Sequence, residues 1–531
     1  LTPFIETEVK DKRLPALSIA LVDDQRVVWA RGFGFARPAS GEKATAETVY
    51  RVGSVSKLFT DLAVMRLVEQ GKLDLDAPVA KYLPDFRPEN PFDKPVTLRQ
   101  LMAHRSGLVR EPPVGNYFDP DNPSLAETVA SLNRTKLVYE PEKRIKYSNA
   151  AIATVGYVLE KTQGEPFPRY LKRTLLEPLG MRASDFVPSD AVKPALAEAV
   201  MWTYHGRVFP APTFELGMAP AGSLYTTVLD LSKFLHMLFA GGKSGGKQIV
   251  KPETLEEMMT LQFAKPDDKE GFGIGFSIGE LQGRKRIGHG GAIYGFATAL
   301  SAVPSEKLGV VVVASKDVAN AVTDHIARVA LEQMLAVKQG KDLPQIERTT
   351  PLSREEARKW AGRYRSGEKY FDLHERDGRL WLLRDAGNYR MELRKSGEDL
   401  MVDDVVAHGT RLKPVGDKLR LGDDVYERVD VPLPPEPPAH WKGLIGEYGW
   451  DHNTLTILEK DGKLHALIEW FFLYPLKEES EDVYAFPDYG LYHGEKLIFR
   501  RDPSGRATEV EAAEVVFKRR AVGPEDGRTF S

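Results

Sequence analysis

Ser54-Val55-Ser56-Lys57-Leu58-Phe59-Thr60-Asp61-Leu62-Ala63-Val64-Met65-Arg66-Leu67-Val68-Glu69-Gln70-Gly71 is the stretch on which the reading of this chain turns. From Ser56 to Gln70 it predicts a helix, with Gly71 as the stop signal. Its apolar residues cover more than one helical face, which predicts a helix buried in the middle of its domain. A lysine is unusual in such a segment. Ser54 and Lys57 have the Ser-x-x-Lys spacing, which puts both on one helical face with the ammonium in reach of the hydroxyl. A serine hydroxyl is a poor nucleophile until a base takes its proton. Lysine serves as that base only if its pKa falls, which burial and a helix N-terminus both promote. About two such spacings arise by chance in a chain of this length. Another, Ser244-Gly245-Gly246-Lys247, lies among glycines with no apolar helix to desolvate its lysine. Standing alone, Ser54 reads more simply as a helix N-cap, with Lys57 facing solvent.

Around this stretch, strands and helices alternate. Ala16 to Val22 and Arg26 to Gly32 flank Asp23-Asp24, a hairpin turn signal. Helices are expected over Leu98 to His104, Leu125 to Leu132, Ala150 to Lys161, Phe167 to Leu176 and Val228 to Phe239. Strands are expected at Ile274 to Glu280, Tyr294 to Val303 and Leu308 to Ala314, and a last helix at Asp324 to Ala336. Strands at both ends with helices between them predict an α+β domain built on one antiparallel sheet, over residues 1–340. Past the polar stretch Lys338 to Pro351, helices give way to short alternating runs. Gly362-Arg363-Tyr364 matches Gly446-Glu447-Tyr448, and Asp377-Gly378-Arg379-Leu380 matches Asp461-Gly462-Lys463-Leu464, both at an offset of 84 residues. Trp360 and Trp441 lie upstream of the two copies. Val431 to Pro438 forms a stiff proline-rich spacer between them. Two small all-β barrel-like domains are therefore expected, at 352–430 and 440–520.

Two further motifs carry chemistry. Tyr147-Ser148-Asn149 precedes a predicted helix. A phenol can relay a proton and an amide can hold a carbonyl oxygen, although a turn tyrosine with Asn149 as N-cap reads as well. His289-Gly290-Gly291-Ala292 stands where a strand is expected to begin. Its paired glycines would let a substrate backbone approach, and an amide N–H beyond them can help form an oxyanion hole. Taken alone, it reads as a surface histidine in a glycine turn.

In order, Ser-x-x-Lys, Tyr-x-Asn and His-x-Gly resemble the serine β-lactamase and penicillin-binding-protein superfamily, in particular its class C-like branch of esterases and peptidases. Leu101-Met102-Ala103-His104-Arg105-Ser106-Gly107-Leu108, Ala221-Gly222-Ser223-Leu224 and Gly271-Phe272-Gly273-Ile274-Gly275-Phe276 also resemble that branch, over about residues 10 to 335. The resemblance implies Ser54 as nucleophile, Lys57 as its base and Tyr147 as second proton carrier. It implies Asn149, His289, Gly291 and Ala292 on the substrate, with the N–H groups of Ser54 and Ala292 as oxyanion hole. Two departures stand out. Pro141-Glu142 replaces the family's usual Pro-Gly, and His289 replaces its usual lysine. Histidine carries only partial charge near neutrality, which tilts the expectation from antibiotic hydrolysis towards peptides or esters. A hydrolase followed by two barrels resembles the bacterial D-aminopeptidases, in which the barrels restrict the entrance. The expected function is an acyl-enzyme serine hydrolase of small amides, D-amino-acid peptides or esters. The alternatives are a β-lactamase or D-Ala-D-Ala carboxypeptidase, or a non-catalytic peptide or β-lactam sensor.

Composition sets the frame. The 531 residues, 42% hydrophobic and 28% charged, suit a globular chain of more than one domain. A net charge of −3 gives no reason to expect a nucleic-acid partner, and the partner expected is a small-molecule or peptide substrate. No apolar run is long enough to span a bilayer. Zero cysteines and eleven histidines without zinc-type spacing leave no metal or other cofactor expected. Absent cysteines and a first residue other than Met suit a periplasmic or secreted enzyme whose leader was removed, with a cytoplasmic protein as the alternative.

Overall fold

The run Leu308–Ala314 forms a strand in which every residue is buried. Four consecutive valines suit such a strand, whose two faces must both be covered. It lies near the middle of an eight-stranded antiparallel sheet made of β1 (Ala16–Asp23), β2 (Arg26–Arg37), β3 (Glu42–Lys43), β4 (Gly271–Phe272), β5 (Ser277–Leu281), β6 (Arg284–Ile293), β7 (Phe296–Val303) and β8 (Leu308–Ala314), in the order β4-β5-β6-β7-β8-β1-β2-β3. The first strand thus pairs with the last, Leu17 opposite Ala314. The computed structural model describes residues 1–204, 206–387, 389–431 and 436–521. Pro432 to Pro435 of the proline-rich spacer lie outside the described residues. Two compact units emerge. One holds Leu1–Met201, Phe209–Pro344 and Ala513–Val515; the other holds Trp202–Val208, Gln345–Ala512 and the chain from Val516.

In the first unit, α1 (Thr2–Asp11), α2 (Ser56–Glu69), α3 (Asn149–Gln163), α4 (Val228–Phe239) and α5 (Asn320–Lys338) are the long helices. Helix α4 packs on β1 and β8, α5 on β7 and β8, and α2 against α3. Ser56 to Met65 and Leu67 of α2 are all buried, as expected of a helix apolar on more than one face. Three expectations need correction. The hairpin turn is Asp24-Gln25, because Asp23 already pairs with Arg26. Ile274 to Glu280 is broken, with strand only at Gly271–Phe272 and Ser277–Leu281; Gly275 turns the chain at φ +80° between them. His289 lies inside β6, not at the start of the next strand. Glycines at 288, 290 and 291 hide that strand's alternation.

Among the described residues, the second unit is all β apart from α6 (Arg354–Trp360) and a short 3-10 turn at Ala439–Gly443. Eight strands between Gly362 and Val429 close into a barrel through Tyr364 opposite Arg428. The second copy has a four-stranded and a five-stranded sheet from Gly446 to Lys518. Strands Phe472–Pro475 and Lys477–Ser480 are separated only at Leu476, and Tyr448 bridges Arg519 where Tyr364 meets Arg428. The two copies share their turns atom for atom. Glu375 accepts from Gly378 N at 2.9 Å and Glu459 from Gly462 N at 2.7 Å, with Asp377 and Asp461 both at positive φ. The run Trp470 to Tyr474 is only partly strand: Phe471, Leu473 and Tyr474 are buried, whereas Trp470 sits in a turn at φ +67°.

Candidate functional site

Ser54 lies in a 3-10 turn, Gly53–Val55, directly before α2. Val55 takes the N-cap position, so the capping alternative for Ser54 does not hold. Among its neighbours in the chain Ser54 alone stays partly exposed, and Lys57 beneath it is fully buried. The solvent-facing alternative for Lys57 is thereby excluded. Its Nζ donates to Ser54 Oγ at 2.9 Å, to Asn149 Oδ1 at 2.8 Å and to Ala221 O at 2.7 Å. Burial pulls its ammonium down to about 7, with Glu111's charge opposing and Arg110's assisting. The Ser-x-x-Lys at Ser244 is a β-hairpin, with Ser244 and Lys247 paired across its turn.

Tyr147 hydrogen-bonds to the Ser54 side chain. Burial pushes its phenol above the ordinary range, against that hydrogen bond, so it holds its proton at neutral pH. The Lys57 ammonium lies 5.0 Å from its ring centre. Asn149 is the first residue of α3, not its cap; Ser148 caps the helix through Ala151 N at 2.9 Å. This frees the Asn149 amide to turn inward. Its Nδ2 donates to Glu111 at 2.6 Å, which fixes Oδ1 towards Lys57. Glu142 takes a left-handed φ of +73° where glycine is usual. Its carboxylate offsets the strain by accepting from Lys94 and from Gln100 at 2.9 Å.

His289 is buried on β6, which excludes the surface-turn alternative. The end of β6 lies against the Ser54 turn: a side chain at Gly53 would meet the Ala292 backbone within 2.6–2.8 Å. The protein itself requires a glycine at 291. A Cβ there would sit 2.0 Å from Val52 O, while at Gly290 it would meet nothing nearer than 3.8 Å. Gly291→Ala should therefore lower Tm by a few degrees, through an overpacking cost of about 1–3 kcal/mol, and Gly290→Ala should not. Equal melting curves for the two would contradict this placement.

Glu111, Arg110 and His104 went unseen as site residues in the sequence. The His104 ring lies tilted 4.2 Å from that of Tyr147 and edge-on 4.9 Å from that of Phe272, and its Nδ1 accepts from Ser148 N at 3.2 Å. It thus wedges the Tyr-x-Asn turn in place. Ala221 and Phe272 fall in phrases already noted for their resemblance, which was the available signal. Glu111 carried none. Taken together, a partly exposed hydroxyl touches a dry amine whose ammonium is destabilised, with a phenol alongside: a hydroxyl that can be deprotonated in place.

The model of the family described as Beta-lactamase matches residues 1–334. Beta-lactamase-like protein 2 of Dictyostelium discoideum is 30% identical over 265 residues, 48% of this chain and 47% of that protein. The chain spans about half the length of the curated relatives it matches. The octameric penicillin-binding protein homologue from Pyrococcus abyssi superposes with a TM-score of 0.59 at 28% identity, over 80% of this chain and 98% of that one. A D-stereospecific amidohydrolase from Streptomyces sp. shares the fold, with a TM-score of 0.51 at 24% identity over 60% of this chain and 94% of its own. No described helix is long and apolar enough to cross a membrane.

Proposed function

Because this chain belongs to the beta-lactamase family, we propose that it is a serine hydrolase forming an acyl-enzyme on Ser54, acting on small amides, D-amino-acid peptides or esters. The observation that carries this reading is the Lys57 environment. Two of its three donors go to Asn149 Oδ1 and Ala221 O, which can only accept. When the amine is neutral, its two hydrogens stay on those oxygens and its lone pair faces Ser54 Oγ, 2.9 Å away. It is then placed to take the hydroxyl proton.

In this mechanism Ser54 Oγ loses its proton to Lys57 Nζ and bonds to the substrate carbonyl carbon. The resulting oxyanion is held by the N–H groups of Ser54 and Ala292. Tyr147 passes the proton from Lys57 to the departing nitrogen or oxygen as that bond breaks. Water then attacks the ester, gives its proton back through Lys57, and the carboxylic acid leaves with Ser54 restored. Asn149 and His289 contact the substrate. A neutral His289, lowered to about 4 by burial, favours peptides and esters over β-lactams, which carry a carboxylate. With the base at about 7, kcat/KM should rise as pH climbs through roughly neutral, since only the free amine is competent; a pH-rate profile checks this limb.

A fluorophosphonate probe tests the reading. It should add to the peptide bearing Ser54, and the labelled protein should lose turnover of a p-nitrophenyl ester and of D-alanine p-nitroanilide. A folded protein that neither labels at Ser54 nor turns over an ester, the anilide or a chromogenic cephalosporin would favour the sensor. Preference for the cephalosporin would favour the β-lactamase.

A further inference from the structure

His289 keeps only 6% of its surface exposed, and its ring lies 6.2 Å from that of Tyr147 and 6.5 Å from that of Phe272. Nδ1 is 2.5 Å from Gly290 O. A carbonyl oxygen only accepts, so Nδ1 bears the hydrogen. Burial, and after it the charge of Lys57, hold the imidazolium down at about 4, so the ring is neutral near pH 7. In that neutral tautomer Nε2 is a bare acceptor. It is buried and has no hydrogen-bond partner among the described residues.

The surrounding charges point the same way. All three Lys57 donors are engaged inside the protein, and the Arg110 guanidinium lies 3.5 Å from the Glu111 carboxylate. A substrate carboxylate brought to His289 would face a lone pair, which repels it. A substrate N–H would be welcomed there.

We propose that His289 Nε2 accepts a hydrogen bond from the amino group of the substrate, so that the site selects aminoacyl amides and peptides with a free amine beside the scissile carbonyl. This rests on the acyl-enzyme reading, and deepens it by assigning the group that chooses the acyl donor.

D-Alanine p-nitroanilide and propionyl p-nitroanilide differ only in that amine. Wild-type protein should favour the first by roughly tenfold to a hundredfold in kcat/KM, the worth of one hydrogen bond from a charged donor. His289→Leu should bring the ratio near one, mainly through KM. His289→Gln, which keeps an acceptor oxygen, should recover part of it, and His289→Lys should shift preference towards a chromogenic cephalosporin. Because each value is a ratio within one protein, partial misfolding does not mimic the effect. The 15N signal of His289 Nε2 gives a second readout that needs no turnover: it should move upfield with D-alaninamide and stay still with propionamide.

A wild-type ratio near one, or a ratio unchanged in His289→Leu, in protein whose Ser54 still takes the fluorophosphonate, overturns the His289 assignment alone. A moving Nε2 signal in protein that neither labels nor turns over supports the amine subsite and sinks the acyl-enzyme chemistry. A still signal in such protein overturns both.

Discussion

Lys57→Ala is expected to slow acylation of Ser54 by about 10³- to 10⁴-fold, towards the upper end of what a positioned general base contributes. Nothing in the site stands ready to replace it. Tyr147 touches Ser54, but burial raises its phenol above the ordinary range, so the phenolate is scarce at neutral pH. His289 carries its hydrogen on Nδ1, towards Gly290 O, and burial holds its imidazolium down at about 4, which leaves it a weak base. Labelling by a fluorophosphonate under single-turnover conditions measures the acylation step directly. Lys57→Met, which keeps more of the buried volume, separates lost chemistry from lost packing: both variants should be equally slow if the amine is the base. The pH limb near 7 should vanish with the amine. If Lys57→Ala labels at nearly the wild-type rate, the base is Tyr147, and the limb should reappear near or above the ordinary phenol range.

Ser54→Ala is expected to lose turnover by about 10⁴-fold or more and to take up no probe, because no bond can then form between enzyme and acyl group. Its melting curve should stay near wild type. Ser54 is partly exposed in a turn, and that turn approaches β6 through Gly53 and Val52 O, not through the hydroxyl. The double variant Ser54→Ala, Lys57→Ala should be no slower than the slower single one, since base and nucleophile act as a unit. An additive loss would mean that Lys57 serves a separate step. Turnover surviving in Ser54→Ala, with the probe found on Ser244, would transfer the chemistry to the Ser-x-x-Lys there. The hairpin there leaves Lys247 exposed to solvent, with no apolar helix around it.

Legibility in the sequence followed the range of the physics involved. Helix α2 could be read because its apolar residues and the Ser54–Lys57 spacing are properties of one turn of one helix. Val228–Phe239 and Leu308–Ala314 were readable end to end for the same reason: periodicity in one case and an unbroken valine run in the other. Strand β6 was missed because glycines at 288, 290 and 291 left no alternating side chains to count. The repeat after residue 351 could be found from Gly-x-Tyr and Asp-Gly at a fixed offset, as these residues make the same turn twice.

The sequence by itself therefore determined that a lysine would lie one helical turn from a serine, on a helix apolar on more than one face, and that a sheet, helices and two β modules would follow in that order. Only the tertiary structure decided what the lysine touches. Asn149 comes from a helix 92 residues on and Ala221 from a turn 164 residues on, while Glu111 holds the asparagine amide in the orientation that faces the amine. The tautomer of His289 and the reason Gly291 must be glycine were likewise settled by contacts, with Gly290 O and Val52 O. A pKa depends on solvent exclusion and on charges brought close by the fold, and neither is local to the chain.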